Sequence, residues 1–179
     1  MKPLSGVALI LVVLAAALAV VGNRYALPWL EPRLMPIVLG LLGLAALLEG
    51  LATLGGGAVG FRHSSEQFSG LPARLWGVWM IVTGLGLLTA SGASILSPGW
   101  ERSARAWGFI LLWAGALAGI YGAIRLLAGE SYANPSTRSR LQDLFLRLGG
   151  GFMLLLGTLL MDAGAALIAR PDLAAFFRR

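Results

Sequence analysis

Residues 34–54 read LMPIVLGLLGLAALLEGLATL, and this stretch decides the class of fold. Its one charged side chain is Glu49, and nearly all the others are apolar or glycine. A helix of about 20 apolar residues spans the roughly 30 Å hydrocarbon core of a bilayer. A chain inside that core must hydrogen-bond its own backbone. The stretch therefore predicts a transmembrane α-helix.

Four more apolar runs share this character, at about residues 4–21, 75–96, 107–127 and 144–168. They are continuously apolar and do not alternate with period two, so they are typical of helices and not of a β-barrel. The sequence predicts an all-α membrane protein, a single integral membrane domain over residues 1–179 with about five transmembrane helices. The first run has an alternative, because Ala17-Leu18-Ala19 also fits a signal-peptide cleavage pattern.

Composition agrees with this class of protein and excludes several kinds of site. Hydrophobic residues make up 58% of the chain and charged residues 12%, against about 25% charged in an average soluble domain. The net charge of +6 comes from single Lys and Arg residues at the ends of apolar runs, so we expect lipid as a partner and no nucleic acid. Cysteine is absent and His63 is the only histidine, so no metal site and no cofactor are expected.

Helices two to five open on a shared pattern, Arg-x-x-(Gly or Pro)-x6-Gly. Its four occurrences begin at Arg33, Arg74, Arg105 and Arg147 and end at Gly43, Gly84, Gly115 and Gly157. The first and third are 72 residues apart, and the second and fourth are 73 apart. We interpret this as a tandem repeat of a two-helix hairpin. The alternative is that a chain with 25 glycines produces such coincidences by chance.

The glycines that end this pattern have a predicted structural role. Residues seven apart lie on one helix face, and glycine lets a neighbouring helix approach closely. We therefore expect Gly43, Gly84, Gly115 and Gly157 to be helix-packing glycines. Trp113, the deepest tryptophan, is expected to pack on a glycine face of a neighbouring helix, with a pigment, quinone or lipid contact as the alternative.

Three charged residues inside the apolar runs are the candidate site residues: Glu49, Arg125 and Asp162. A charge at the centre of a bilayer costs about 2.5 to 3.5 kcal/mol on insertion scales, so such residues are paired or functional. Glu49 and Arg125 share a side of the membrane and nearly a depth, so a salt bridge forms if their helices are neighbours. Asp162 lies nearer the other side, within range of Arg33 or Arg105. Structural and functional interpretations stay open for all three.

Two families share parts of this pattern. Residues 24–54, where Glu31-Pro32-Arg33-Leu34-Met35-Pro36 leads into a Leu/Gly helix, slightly resemble the second helix of small membrane subunits of tripartite tricarboxylate transporters, without their Gly-Pro-Gly entry. The Gly-x6-Gly helices are similar to those of HdeD-like acid-resistance membrane proteins. Both resemblances are limited to a pattern, and neither assigns the chain to a family.

The functional prediction is a non-enzymatic membrane protein, because no phosphate-binding loop, nucleophile elbow or metalloprotease motif occurs. We expect an accessory or structural subunit of a membrane complex, or a small helical bundle, with other subunits or further copies of itself as partners. The alternative is a small membrane subunit of a transporter with a polar site near Glu49, Arg125 or Asp162.

The predicted location is a bacterial cytoplasmic membrane. Basic residues divide equally between the two predicted sides, so the positive-inside rule does not decide the orientation. Lys2 and the polar loop at residues 136–147 favour a cytoplasmic N-terminus.

Overall fold

A computed structural model describes residues 3–25, 31–56, 58–60, 67–97, 99–128 and 140–171 of the chain. These residues form five α-helices, with bounds α1 Pro3–Tyr25, α2 Glu31–Gly56, α3 Leu71–Leu96, α4 Ala104–Ala128 and α5 Arg140–Ala169. A 3-10 turn, Trp100–Arg102, precedes α4. Four helices contain segments long and apolar enough to cross a membrane: Arg33–Gly56, Leu71–Leu96, Ala104–Leu127 and Leu144–Ala169. The apolar part of α1, Gly6–Gly22, is shorter than these four.

All five helices begin before the apolar runs predicted for them, and the difference is largest for α3 and α5. Helix α3 starts at Leu71, before the predicted residue 75, and has a proline in its first turn. Proline is favoured there because its fixed φ suits a helix and its missing N–H would have no helical partner anyway. Helix α5 starts at Arg140, before the predicted residue 144. A continuous apolar run marks only the part of a helix that is suited to hydrocarbon, whereas the hydrogen-bonded helix continues into polar sequence.

A short β-hairpin departs from the all-α expectation. Strand β1 (Ala58–Gly60) pairs antiparallel with β2 (Gln67–Ser69) between α2 and α3, with Val59 opposite Phe68. The sequence does not predict these strands, since strands of three residues are too short for period-two alternation to be recognised.

The helices pack in chain order, so that α1 lies on α2, α2 on α3, α3 on α4 and α4 on α5. The most extensive contacts are α4 with α5 and α2 with α3. Helices α2 and α4 share no extensive contact in the described part of the chain. The molecule is therefore a series of neighbouring helices in which α2–α3 and α4–α5 are the two close pairs.

Small side chains fill the interior, and large apolar side chains point outward. The buried apolar residues in the described ranges are Ala8, Ala15, Ala45, Ala46, Ala52, Ala73, Ala106 and Ile124. Of these, Ile124 is the one large side chain, 1% exposed. By contrast, large apolar residues such as Ile10, Leu96 and Leu155 are exposed. This distribution is the reverse of a soluble core, where large apolar side chains are buried.

Candidate functional site

The three candidate charged residues lie on three different helices. Glu49 is half-buried on α2, Arg125 is half-buried on α4, and Asp162 is exposed on α5. The expected Glu49–Arg125 salt bridge required α2 and α4 to be neighbours, but α3 lies between them. No ion pair joins Glu49 to Arg125 among the described residues. Because the helices pack in chain order, α3 separates these two charges. Their similar predicted depth does not show whether their helices are neighbours.

Arg125 is held instead by its own helix. Its Nε donates a hydrogen bond to the Tyr121 hydroxyl at 2.8 Å, one turn earlier in α4. Its guanidinium carbon also lies 5.1 Å from the centroid of the Tyr121 ring, within cation–π range. Arg125 stands in the last turn of α4, where a cation interacts favourably with the helix dipole. These contacts, all within α4, give Arg125 partners other than Glu49.

Asp162 lies on the side of α5 away from α4. Gly157 and Gly164 face α4, and a residue two positions from Gly164 points to the other side of the helix. The two arginines expected near it, Arg33 and Arg105, are exposed at the starts of α2 and α4. Within the described residues Asp162 forms no ion pair with either of them. The structure thus places this carboxyl group on an outer, apolar surface.

Glycine contacts join α2 to α3. A Cβ atom added at Gly43 would lie 2.9 Å from the Gly84 carbonyl oxygen, and one added at Gly84 would lie 2.6 Å from that of Gly43. About two helical turns further along the same pair, a Cβ on Gly50 would lie 2.7 Å from the Gly77 carbonyl oxygen. Real Cβ atoms do not approach a backbone oxygen so closely. The two backbones are therefore in direct contact at both pairs of glycines.

The same arrangement joins α4 to α5. A Cβ added at Gly115 or at Gly157 would lie 2.6 Å from the carbonyl oxygen of the other glycine. One added at Gly122 would lie 2.6 Å from the Gly150 oxygen. All four helix-packing glycines named from the sequence thus lie at a contact between two backbones.

A third contact position, about two turns before Gly43 and Gly115, differs between the two helix pairs. In α4–α5, a Cβ on Gly108 would lie 2.8 Å from the Gly164 oxygen. In α2–α3 the corresponding residues are Pro36 and Ser91, 72 and 73 residues earlier. There the buried Ser91 hydroxyl donates a hydrogen bond to the Pro36 carbonyl at 2.7 Å.

Tryptophan, rather than glycine, dominates the contact between the two pairs. Trp113 of α4 lies against Gly86 of α3 and donates its indole N–H to the Val82 carbonyl at 2.9 Å. In return Trp79 of α3 donates to the Leu117 carbonyl of α4 at 3.1 Å. The prediction that Trp113 packs on a glycine of a neighbouring helix is confirmed.

Sequence reasoning did not identify two contributors, Trp79 and Ser91. Trp79 forms half of this reciprocal contact, and it stacks on Trp76 with ring centroids 5.1 Å apart. Ser91 completes the α2–α3 contact. Its seven-residue spacing from Gly84 was the available signal, because serine is also a small residue.

Metal ligands do not cluster in the described residues: no group of three His, Cys, Asp or Glu side chains occurs there. His63 lies outside those residues. The chain matches no protein-family model, no curated protein and no solved structure.

Proposed function

We propose that this chain is a multi-pass integral membrane protein with a structural or accessory role in a membrane complex. The observation that carries the proposal is the inverted distribution of side-chain size, with alanine, glycine and serine inside and leucine, valine and phenylalanine outside. In water such a surface would drive aggregation. In lipid, exposed apolar side chains carry no free-energy cost, and the close packing of small residues joins the helices.

A non-catalytic role is supported by the sequence, which carries no recognised catalytic motif. The alternative is a small membrane subunit of a transporter with a polar site near Glu49, Arg125 or Asp162, and these three residues do not form one common site. Glu49 and Arg125 lie on helices separated by α3, and Asp162 is on the outer side of α5. We therefore favour the structural role over the transporter subunit.

We also propose that α2–α3 and α4–α5 descend from one duplicated hairpin. Supporting this, the contacts Gly43–Gly84 and Gly50–Gly77 recur as Gly115–Gly157 and Gly122–Gly150, at offsets of 72 and 73 residues. In addition, the four arginines that open the repeated pattern are all exposed, and the glycine or proline three residues later is buried in each case.

The membrane assignment is tested by expressing the full chain and extracting the membranes with alkaline carbonate. We expect the protein to stay in the pellet and to dissolve only in detergent; release into the aqueous phase would contradict the assignment. We also propose that α1 crosses the membrane together with the four longer apolar helices, and five crossings would place the termini on opposite faces. Reporter fusions at Met1 and at Arg179 should therefore report different compartments, and a shared compartment would rule out five crossings.

The accessory role is tested by purification in a mild detergent followed by mass spectrometry. A larger membrane protein recovered in a fixed ratio would support the role. Recovery of this chain alone, together with substrate-dependent flux in reconstituted vesicles that Glu49→Gln abolishes, would favour the transporter alternative.

A further inference from the structure

Two polar side chains near the C-terminal end of α2 lack a partner in the part of the chain that the structure describes. Glu49 is half-buried, and Thr53 is buried, with 7% of its surface exposed. The two residues are four positions apart, so they lie on the same side of the helix, one turn from each other. Neither side chain forms a hydrogen bond or an ion pair with a described residue. Such groups cost free energy away from water unless a ligand pairs with them.

The other threonines on the described helices identify Thr53 as an exception. Thr83 and Thr89 each donate to the carbonyl group four residues earlier, and Thr158 donates to the one three residues earlier. That bond satisfies a hydroxyl group without any partner outside the helix. Thr53 is more buried than the other three, yet its hydroxyl does not form this bond with a described residue. Its oxygen atom is therefore left for a ligand that comes from outside α2.

The equivalent position in α4 carries a positive charge. At the offset of 72 residues, Glu49 corresponds to Tyr121 and Thr53 corresponds to Arg125. There the Arg125 Nε atom donates to the Tyr121 hydroxyl at 2.8 Å, so the guanidinium group lies against the residue one turn earlier. In α2 the same two positions supply oxygen atoms and a negative charge. The first hairpin thus has acceptors for a cation where the second hairpin carries a cation of its own.

The end of α2 adds to the attraction for a cation. Carbonyl groups in the last turn of a helix lack partners inside the helix and form the negative end of its dipole. Arg125 stands in the last turn of α4, whereas the last turn of α2 contains no basic residue. Thr53 also lies within one turn of Gly56, where the apolar segment of α2 ends. An ion from water therefore reaches this position without crossing the hydrocarbon.

The surroundings of Glu49 fit a small ion better than a long side chain. The residues three and four positions away on either side are all buried, at most 8% exposed. They are Ala45, Ala46, Ala52 and Thr53. A lysine or arginine from another protein would need an open surface along the helix for its aliphatic stem, and these buried residues do not leave one. Carboxylate and hydroxyl oxygens suit hard cations, and a single carboxylate balances a single positive charge.

We propose that Glu49 and Thr53 bind an alkali-metal cation at the C-terminal end of α2, through carboxylate and hydroxyl oxygen atoms. The bound ion neutralises Glu49 and takes the place that the Arg125 guanidinium has in α4. Cation binding goes beyond the structural role proposed above. The two unpartnered side chains are present in α2 whether or not the hairpins share an origin.

Thermal unfolding of the purified full chain in a mild detergent tests the proposal. Sodium chloride or potassium chloride replaces choline chloride at constant ionic strength, since choline is too large for the position. At an ion concentration ten times the dissociation constant, the melting temperature should rise by about 3 to 6 °C. The ion that gives this rise at the lower concentration is the preferred one. A melting temperature that is the same in all three salts would overturn the proposal.

Variants assign the effect to the two side chains. Glu49→Gln removes the charge and Thr53→Val removes the hydroxyl, so each should lose most of the cation-dependent rise, while Thr53→Ser should keep it. The readout is the difference between two salts for one variant, so a general loss of stability does not obscure it. The matched controls are Asp162→Asn, at an exposed carboxyl group, and Thr158→Val, at a hydroxyl bonded within α5. Both should keep the full rise.

Three further results would contradict the ion site. The first is a cation-dependent rise that persists in Glu49→Gln or disappears equally in Asp162→Asn. The second is a melting temperature that responds to acid but not to sodium or potassium, which would place a proton on Glu49 instead. The third is a larger membrane protein that copurifies with the natural chain but not with Glu49→Gln, without any cation effect. Failure of the carbonate test would remove the membrane location and leave the salt comparison unaffected.

Discussion

The contacts within the two hairpins and the contact between them are built from different residues. Within α2–α3 and α4–α5, glycines bring two backbones together, and the atom that blocks any larger side chain is a carbonyl oxygen of the opposite helix. Between α3 and α4, two tryptophans fill the space and donate to the opposite backbone. A backbone cannot move aside without bending a helix, whereas a side chain adopts another rotamer. The glycine contacts should therefore tolerate substitution far less than the tryptophan contact.

The largest effect is expected for Gly115→Leu. The added side chain would collide with the Gly157 carbonyl and with the backbone nitrogen of Met161, 2.7 Å from the added Cβ. Overpacking typically costs about 1 to 3 kcal/mol, and we expect the upper end because both blocking atoms belong to the backbone. Unfolding in detergent, followed by circular dichroism, measures the change in stability.

The matched control is Gly149→Leu on α5. A Cβ added at Gly149 meets nothing within 4 Å, so this substitution should leave the stability nearly unchanged. Gly84→Leu should resemble Gly115→Leu, because a Cβ added at Gly84 would likewise lie 2.6 Å from a carbonyl oxygen of the opposite helix, that of Gly43. A mild effect at Gly84 beside a severe one at Gly115 would show that the two hairpins are not energetically equivalent.

A smaller effect is expected for Trp113→Phe in the contact between the hairpins. Phenylalanine keeps an aromatic ring near Gly86 but loses the indole N–H that donates to Val82. The expected destabilisation is about 1 kcal/mol, the net value of a typical hydrogen bond. Trp107→Phe serves as the control, since Trp107 is exposed. A loss of stability as large as that of Gly115→Leu would remove the distinction between the two kinds of contact.

Ser91→Ala should cost still less. It removes the hydrogen bond to the Pro36 carbonyl but keeps a small residue in the α2–α3 contact. Side-chain hydrogen bonds between membrane helices average about 0.6 kcal/mol, and we expect a loss of that size. The same unfolding assay applies, with Thr89→Val as the control because its hydroxyl bonds only within α3. An unchanged stability would indicate that Ser91 contributes through its size alone.

The smallest quantity is the coupling between Glu49 and Arg125. With α3 between their helices, the effects of Glu49→Gln and Arg125→Met should add within about 0.3 to 0.5 kcal/mol in the double variant. A paired arrangement would instead make each single variant costlier than the double one. Such non-additivity would contradict the packing order of α2, α3 and α4.

Local patterns predicted much of the fold. The apolar runs indicated five helices, and five occur in the described residues. The seven-residue glycine spacing named Gly43, Gly84, Gly115 and Gly157, and all four lie where backbones touch. Such features are predictable because helix length and helix faces depend only on residues close together in the chain. The β1–β2 hairpin was missed because three residues per strand carry too little pattern.

The sequence by itself determined which segments become helices, which face of each carries small residues and which charges enter the apolar runs. The tertiary structure alone decided which helices are neighbours. That order separated Glu49 from Arg125, set Trp79 and Trp113 against opposite backbones, and left Asp162 on the outer face of α5. The reason is that contacts between helices depend on how whole faces fit together across long stretches of chain, which no local spacing records.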